Sequence, residues 1–383
     1  MSKSVRTICI ILLILALIGA IILMGMFAAA MYEAFFVTPD YRKGVYTDHF
    51  KFDNENMYIE RWGSRVLFDI ESGVVENICP YCRPEKCSKK CIFNPYFTVW
   101  HANFKIIDVR DGTIYYQYFD RDGLFTIEAA DLKTGKIVFS FKPDMTLSYY
   151  VPAKGILYGD HIYLNNHMIK ETIDGTDWLG NILCRINIKS GEMEKFTECS
   201  GNETLVMIED GWIITQSNED GACKKYSYSI ETKKKTTFQG EEYFISDTAS
   251  YYDGKLYYLS LLSNTVDSYV LVMTDVKTGN SKTLIDEKIS NFSLAPGGTG
   301  IYYTYTNDAQ STLKYCDIDG KNAIEIYKGK HQFTSFTVIG GKMYGFFAMY
   351  NEYLNQLEYG DLIIYDIDTN SYETVILPEL YET

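Results

Sequence analysis

Short apolar segments alternate along the chain with a recurring polar turn. The turn reads apolar-Asp-apolar-x-Thr or Ser-Gly, and Asp131 to Gly135 is a clear copy. A glycine, lysine or asparagine at its end supplies the positive φ that a hairpin needs. The first polar positions of seven copies are spaced by 62, 56, 42, 46, 42 and 49 residues. These positions are Asp69, Asp131, Asn187, Ser229, Asp275, Asp317 and Asp366.

A second pattern precedes the turn in each unit. It is a tight turn, often Asp-Gly, followed by a strand rich in aromatic residues, as in Asp111-Gly112 before Ile114-Tyr115-Tyr116. Asp-Gly between two apolar segments is a strong hairpin signal. Each unit therefore reads as four antiparallel strands, A to D, with the Asp-Gly turn between A and B and the Thr-Gly turn between C and D.

Periods of 40–50 residues with four strands each are typical of a β-propeller, because a ring of sheets buries faces that one sheet cannot. We predict an all-β, seven-bladed β-propeller of four-stranded antiparallel blades over residues 45–383, with six or eight blades and two tandem β-sandwiches as alternatives. We further predict that the ring closes without strand exchange. Val45–Phe52 then supplies the first inner strand and Tyr372–Leu377 the last outer strand.

The N-terminus has a different pattern. No charged residue lies between Arg6 and Glu33, and Ile8–Ala30 is almost entirely apolar. About 20 such residues cross a bilayer as a helix. We predict a transmembrane signal-anchor helix at 7–32, after a cytoplasmic N-terminus (1–6) and before a linker (33–44). A cleaved signal peptide and a buried core helix are the alternatives.

The charged residues indicate the orientation of the predicted span in the membrane and restrict the classes of binding partner. Lys3 and Arg6 precede the span, so the positive-inside rule places the N-terminus in the cytoplasm and the propeller outside the cell membrane, as a single-pass protein. The whole chain has 36 Lys+Arg against 50 Asp+Glu, a net charge of −14. That balance argues against nucleic acid as a partner. Its 33 Tyr and 21 Phe agree with a pleated, half-buried fold.

Two aromatic strands carry a family resemblance. Ile301-Tyr302-Tyr303-Thr304, and less closely Leu256-Tyr257-Tyr258, resemble the Tyr-Trp-Thr-Asp strand of propellers in low-density-lipoprotein-receptor ectodomains and of bacterial membrane-anchored propellers of unknown function. The resemblance covers about residues 45–380 and implies the fold. No blade has the full Tyr-Trp-Thr-Asp sequence, so the resemblance assigns no ligand residue.

The connections between strands B and C read as long, irregular loops on one face of the ring, which we call the B–C face. They cover about 117–125, 165–181, 216–224, 260–268, 305–311 and 347–360. The A–B and C–D turns lie on the opposite face, the turn face. Loops on a rigid scaffold often carry function, although these could simply be solvated. The candidate binding residues there are acidic and aromatic: Asp120, Asp122, Asp174, Asp177, Trp178, Glu219, Asp220, Tyr350, Tyr353 and Glu358.

Four cysteines cluster in an insertion at 79–91 between the first two units. Cys79, Cys82, Cys87 and Cys91 could form two disulfides, as expected outside a membrane, or hold a tetrahedral Zn²⁺. A redox or Fe–S role is a third possibility. We expect the loop to lack a core of its own and to cover the B–C face as a basic cap. Zn²⁺ here is the one cofactor that the sequence suggests.

No catalytic constellation is recognisable in the sequence, and we assign no catalytic residue. The favoured function is a monomeric binding or scaffold module, with a protein, peptide or saccharide partner at the cell surface. The alternative is a metal-dependent hydrolase or lactonase-type propeller. Three or more Asp, Glu, Asn or His converging at the channel mouth would favour that enzyme.

Overall fold

The computed structural model describes residues 50–53, 56–61, 64–82, 91–93, 104–119, 125–142, 155–172, 175–199, 203–219, 222–239, 249–261, 269–307, 310–329, 332–351 and 356–375. They all belong to one compact unit, Tyr41–Thr383. The predicted span at 7–32 lies outside these residues. Within them, no helix has the length and apolar character needed to cross a membrane.

The described residues form seven antiparallel sheets of four strands, each in the order A-B-C-D. Blade 1 consists of β1 (Phe50–Asp53), β2 (Asn56–Arg61), β3 (Ser64–Asp69) and β4 (Val75–Asn77). Blade 2 consists of β5 (Lys105–Arg110), β6 (Thr113–Phe119), β7 (Phe125–Asp131) and β8 (Ile137–Phe141). Blade 3 consists of β9 (Ile156–Tyr158), β10 (His161–Thr172), β11 (Gly175–Asn187) and β12 (Met193–Cys199).

Blades 4 and 5 consist of β13 (Thr204–Glu209), β14 (Trp212–Glu219), β15 (Ala222–Ser229), β16 (Lys235–Thr237); β17 (Ser250–Tyr252), β18 (Lys255–Leu261), β19 (Tyr269–Asp275) and β20 (Ser281–Ile289). Blades 6 and 7 consist of β21 (Asn291–Leu294), β22 (Gly300–Asn307), β23 (Gln310–Asp317), β24 (Ile324–Gly329); β25 (Gln332–Ile339), β26 (Lys342–Asn351), β27 (Gln356–Asp366) and β28 (Ser371–Val375). The predicted all-β, seven-bladed propeller is confirmed.

The C–D turn forms for the reason the sequence suggested. In blade 2, the Asp131 carboxylate accepts hydrogen bonds from the backbone N–H and the hydroxyl of Thr134, at 2.6 and 2.7 Å. Gly135 has φ +67°, and a Cβ there would lie 2.6 Å from the carbonyl oxygen of Pro80. Glycine is therefore needed both for the backbone conformation and for the close approach of the preceding blade.

The core lies between the blades rather than within them. Seven hydrophobic clusters of described residues each join side chains from two neighbouring blades. One of them packs Phe68 of blade 1 against Tyr344 of blade 7, with ring centroids 6.0 Å apart. β1 pairs with β2 and β28 pairs with β27, so the described residues confirm closure by packing without strand exchange.

The B–C connections differ from the prediction of long loops. β10 and β11 continue their pairing to Thr172 and Gly175, and β26 and β27 continue theirs to Asn351 and Gln356. Most of the segments predicted as irregular at 165–181, 216–224, 305–311 and 347–360 are therefore paired strands. The physical reason is that a continuous ladder satisfies backbone groups that an irregular loop would leave to water.

Candidate functional site

The cysteine cluster lies where blade 1 connects to blade 2. Cys79 follows the short strand β4, and its backbone N–H donates to Asn77 Oδ1 over 2.9 Å. The Sγ atoms of Cys79, Cys82 and Cys91 all lie within 4.8 Å of one another. The structure therefore brings together three of the four predicted cysteines. Cys87 lies outside the described residues.

The spacing of these sulfurs indicates what they can do. Cys79 Sγ and Cys91 Sγ are 3.5 Å apart, well beyond the roughly 2.05 Å of a disulfide bond. Zn–S bonds of about 2.3 Å place the sulfurs of a tetrahedral site about 3.8 Å apart. Three thiols at this spacing could hold a metal ion. No other group of three or more His, Cys, Asp or Glu with metal-site geometry occurs in the described ranges.

The surroundings of the cluster belong to the junction between blades 1 and 2. Cys79, Ile78 and Phe93 are fully buried among side chains of both blades. Cys79, the first residue of the insertion, is thus part of the junction core, and Phe93, two residues after the insertion, packs edge-on against Phe104 and Tyr116 at 4.9 and 5.0 Å. That the insertion lacks a core of its own and caps the B–C face stays a prediction. Residues 83–90, which carry its basic side chains, lie outside the described ranges.

A chain of hydroxyl groups connects the cluster to blade 2. Tyr116 OH donates to Glu128 Oε2 over 2.9 Å, so it accepts a hydrogen bond from Tyr81 OH at 2.5 Å. Burial is the main cause that raises the pKa of both tyrosines. They therefore stay protonated at neutral pH and act as neutral donors. Tyr81 lies between Cys79 and Cys82, so this chain fixes the position of the cysteine loop.

The scattered cysteines have a different environment. Cys184 and Cys316 are buried, and Cys199 is partly buried. Burial raises the pKa of Cys184 to about 11 and the pKa values of Cys199 and Cys316 to about 12. At neutral pH these three are protonated thiols, which are poor nucleophiles and poor metal ligands.

A second polar centre, which sequence reasoning missed, lies between blades 3 and 4. The fully buried Glu203 carboxylate accepts from Thr215 Oγ1, Tyr228 OH and Lys235 Nζ at 2.8, 2.7 and 2.5 Å. Lys235 Nζ also lies 3.6 Å from the ring centroid of Tyr226. All these partners come from later strands of blade 4, so no short sequence motif contains the residues of this site. Its saturated hydrogen bonds make it a structural centre.

The candidate binding residues fall into two groups. Asp120, Asp122, Asp174, Asp220 and Tyr353 lie outside the described residues. The backbone places the others at the B–C ends of blades 3, 4 and 7: Asp177 and Trp178 in β11, Glu219 in β14, Tyr350 in β26 and Glu358 in β27. That these five positions form one binding face stays a prediction.

Known structures resemble the chain in fold. A prolyl endopeptidase matches with a TM-score of 0.55 at 12% identity, over 85% of this chain and 47% of that one. A puromycin-hydrolysing peptidase of Mycobacterium tuberculosis matches with 0.57 at 10% identity, over 90% and 57%. A puromycin hydrolase matches with 0.53 at 13% identity, over 87% and 54%. At this identity the likeness shows the propeller fold alone.

The chain spans about half the length of these structures. No protein-family model matches it. No curated protein matches it either.

Proposed function

We propose that the chain is a membrane-anchored propeller that displays its B–C face outside the cell to bind a protein, peptide or saccharide partner. One observation carries the proposal. The B–C hairpin of blade 3 is paired from His161–Asn187 out to Thr172–Gly175, whereas that of blade 4 is paired from Trp212–Ser229 to Glu219–Ala222. The longer hairpin continues past a register shift between Met168 and Ile169, and its backbone bears Asp177 and Trp178.

The composition of that face supports a partner with positive charge or with sugar rings. Carboxylates attract cationic groups, and aromatic side chains bury large area at low entropic cost. Blade 7 has a second long hairpin, which carries Tyr350 and Glu358. The opposite face instead has short turns whose polar groups are already bonded, such as Asp131 to Thr134.

The binding proposal is tested by crosslinking on intact cells that display the full-length chain. The triple variant Asp177→Asn, Glu219→Gln, Glu358→Gln removes three carboxylates from the B–C face. The matched control, Glu71→Gln, Glu192→Gln, Glu231→Gln, removes three exposed carboxylates from the turn face. We expect at least a tenfold loss of the crosslinked partner for the first variant and none for the control. Equal behaviour of both variants would contradict the proposal.

The membrane topology has its own test. The uncharged segment at 7–32 and the Lys3/Arg6 flank support an anchor with the propeller outside. Protease added to intact spheroplasts should then degrade the full-length chain. Complete protection of the chain, with degradation after lysis, would contradict this orientation.

We also propose that the cysteine cluster binds Zn²⁺ through Cys79, Cys82 and Cys91, with Cys87 as the fourth ligand. Support comes from the sulfur spacing and from the buried, fixed position of Cys79. Thiolates are the ligands that structural zinc sites prefer. One equivalent of zinc should bind per chain and be lost in Cys79→Ser, while Cys316→Ser keeps it. Retention of zinc in Cys79→Ser would contradict the assignment.

The alternative function, a metal-dependent hydrolase or lactonase-type propeller, also remains testable. It rests on the general use of propellers as scaffolds for enzymes. A panel of ester and lactone substrates, assayed with and without added divalent metal, would detect it. Turnover that depends on metal and survives Cys79→Ser would favour this alternative over the binding module.

A further inference from the structure

The distance between the Cys79 and Cys91 sulfurs lies between that of a disulfide bond and that of two sulfurs in a tetrahedral zinc site. Cys79 Sγ and Cys91 Sγ are 3.5 Å apart. This is about 0.3 Å from the sulfur–sulfur edge of a tetrahedral zinc site and about 1.5 Å from a disulfide bond. A small movement therefore converts a metal-ligand pair into a covalent pair. The sequence motif, Cys79-Pro80-Tyr81-Cys82, would instead suggest pairing of Cys79 with Cys82.

The two sulfurs also differ in access. Cys79 is fully buried and has its backbone held by Asn77, whereas Cys91 is only partly buried. A reagent from solvent therefore reaches Cys91 before Cys79. This asymmetry suits a pair in which the accessible Cys91 reacts with the reagent first and the buried Cys79 then resolves the mixed disulfide.

We propose that Cys79 and Cys91 are a metal-gated redox pair, which forms a disulfide when the metal is absent and is protected when it is bound. The inference rests on the zinc site of the proposed function and adds its redox partner. It assigns the cross-link to Cys79–Cys91 rather than to the Cys-x-x-Cys pair.

The oxidant we name is a small-molecule disulfide such as oxidised glutathione. The Cys91 thiolate attacks one of its sulfurs, the S–S bond of the reagent breaks, and one glutathione thiolate leaves. The Cys79 thiolate then attacks Cys91 Sγ, and the second glutathione thiolate leaves. Two electrons pass from the protein to the reagent, and the thiol protons go to solvent. Bound Zn²⁺ prevents the first step because it holds the lone pair of the attacking sulfur.

The location of the pair gives the reaction a structural consequence. Tyr81 lies in the segment that the disulfide would close, and it donates to Tyr116 of blade 2. Closure of Cys79–Cys91 thus keeps the connection between blades 1 and 2 tied when the metal is lost. Either state of the pair staples the same junction.

The test uses the full-length chain in detergent, prepared reduced and either zinc-loaded or treated with a chelator. Each form is exposed to oxidised glutathione, quenched with an alkylating reagent, and mapped by mass spectrometry without reduction. Bound zinc is measured on the same samples. We expect a Cys79–Cys91 disulfide in the chelated form, formed at least tenfold more slowly in the zinc-loaded form.

Two variants keep the test specific. In Cys91→Ser the disulfide should disappear. Cys316→Ser, which removes a buried cysteine of blade 6, is the control, and there the disulfide should form at the wild-type rate. A dominant Cys79–Cys82 link, or an equal rate with zinc bound, would overturn the proposal. If no zinc binds, the zinc assignment and the gating both fail. In that case the disulfide identified by mass spectrometry still tests whether Cys79 pairs with Cys91 or with Cys82. The binding proposal for the B–C face is unaffected.

Discussion

Blade 1 contacts its two neighbours in different ways. Its junction with blade 7 is a cluster of hydrophobic side chains, in which Met57, Val66 and Phe68 meet Tyr344 and Leu362. Its junction with blade 2 instead includes three thiols and the hydroxyl groups of Tyr81 and Tyr116. Both junctions hold the same blade, so the difference cannot reflect a general need of the fold.

The comparison separates closure from function. Among the described residues, apolar side chains pack between the first and last blades, whose sheets come from opposite ends of the chain. The junction of blades 1 and 2 is already linked by the chain, yet it carries the longest spacing between turn motifs, 62 residues. This contrast supports the metal and redox role that we propose for the cysteine cluster.

The largest expected effect is at the apolar junction. Phe68→Ala deletes a fully buried ring that packs against Tyr344. We expect a loss of about 3–5 kcal/mol in the free energy of unfolding, because a large cavity is left. The measurement is urea unfolding of the full-length chain. Tyr372→Ala, an exposed aromatic on the outer strand of blade 7, is the control and should change stability by less than about 0.5 kcal/mol.

The same variant tests whether the two junctions of blade 1 are independent of each other. If the two junctions are independent, Phe68→Ala should still bind one equivalent of zinc with unchanged affinity. Release of zinc by Phe68→Ala would show that the junctions act as one unit.

Metal removal should have the next largest effect, and at the other junction. Zinc held at about 100 times its Kd stabilises the folded state by about 2.7 kcal/mol. Chelation should remove that stabilisation from the wild type, from Phe68→Ala and from Cys316→Ser. In Cys79→Ser the chelator should have no effect, because the metal is already lost. An equal chelator effect in Cys79→Ser would place the metal elsewhere.

The fold was predictable from sequence because its turns are chemically local. The Asp131 carboxylate bonds Thr134 three residues later, and Gly135 supplies the positive φ, so the motif is visible without tertiary information. Lengths of hairpins were not predictable in this way. The segment His161–Thr172 reads as strand followed by polar loop, but its ladder with Gly175–Asn187 continues through the polar residues.

The site was predictable only in part, for a similar reason. Four cysteines within 13 residues indicate a staple whatever the fold. The burial of Cys79 and Phe93 between two blades depends on contacts with Phe104 and Tyr116, which no short motif encodes. Glu203 gathers partners 12 to 32 residues away, so its role is visible only once blade 4 is folded.

A smaller effect should come from the hydroxyl chain that ties the cysteine loop to blade 2. Tyr116→Phe removes the group that joins Tyr81 to Glu128, and we expect it to cost about 1–2 kcal/mol. Tyr81→Phe measured alone and in the Tyr116→Phe background gives a double-mutant cycle. The second substitution should cost less in the variant background than in the wild type. Strict additivity would mean that the two hydroxyls do not interact energetically.

The smallest effect concerns the C–D turn of blade 2, at Asp131 to Gly135. The hydroxyl and backbone N–H of Thr134 lower the pKa of Asp131 below its ordinary value of 3.8. The folded state therefore binds fewer protons than the unfolded state near that pH. The resulting stability is present above about pH 4 and is lost as the pH falls through the folded-state pKa.

Blade 3 supplies the matched comparison for this last prediction, because Asn187 occupies the same turn position and accepts the Ser190 N–H at 3.0 Å. An amide does not titrate, so Asp131→Asn should be less stable than wild type at pH 7, and the difference should shrink by pH 3. Asn187→Asp should gain a pH dependence of the same sign. Urea midpoints measured at both pH values decide this. If the wild type and Asp131→Asn lose stability in parallel, the turn carboxylate does not contribute to acid unfolding, because the only titrating group that distinguishes the two proteins is Asp131.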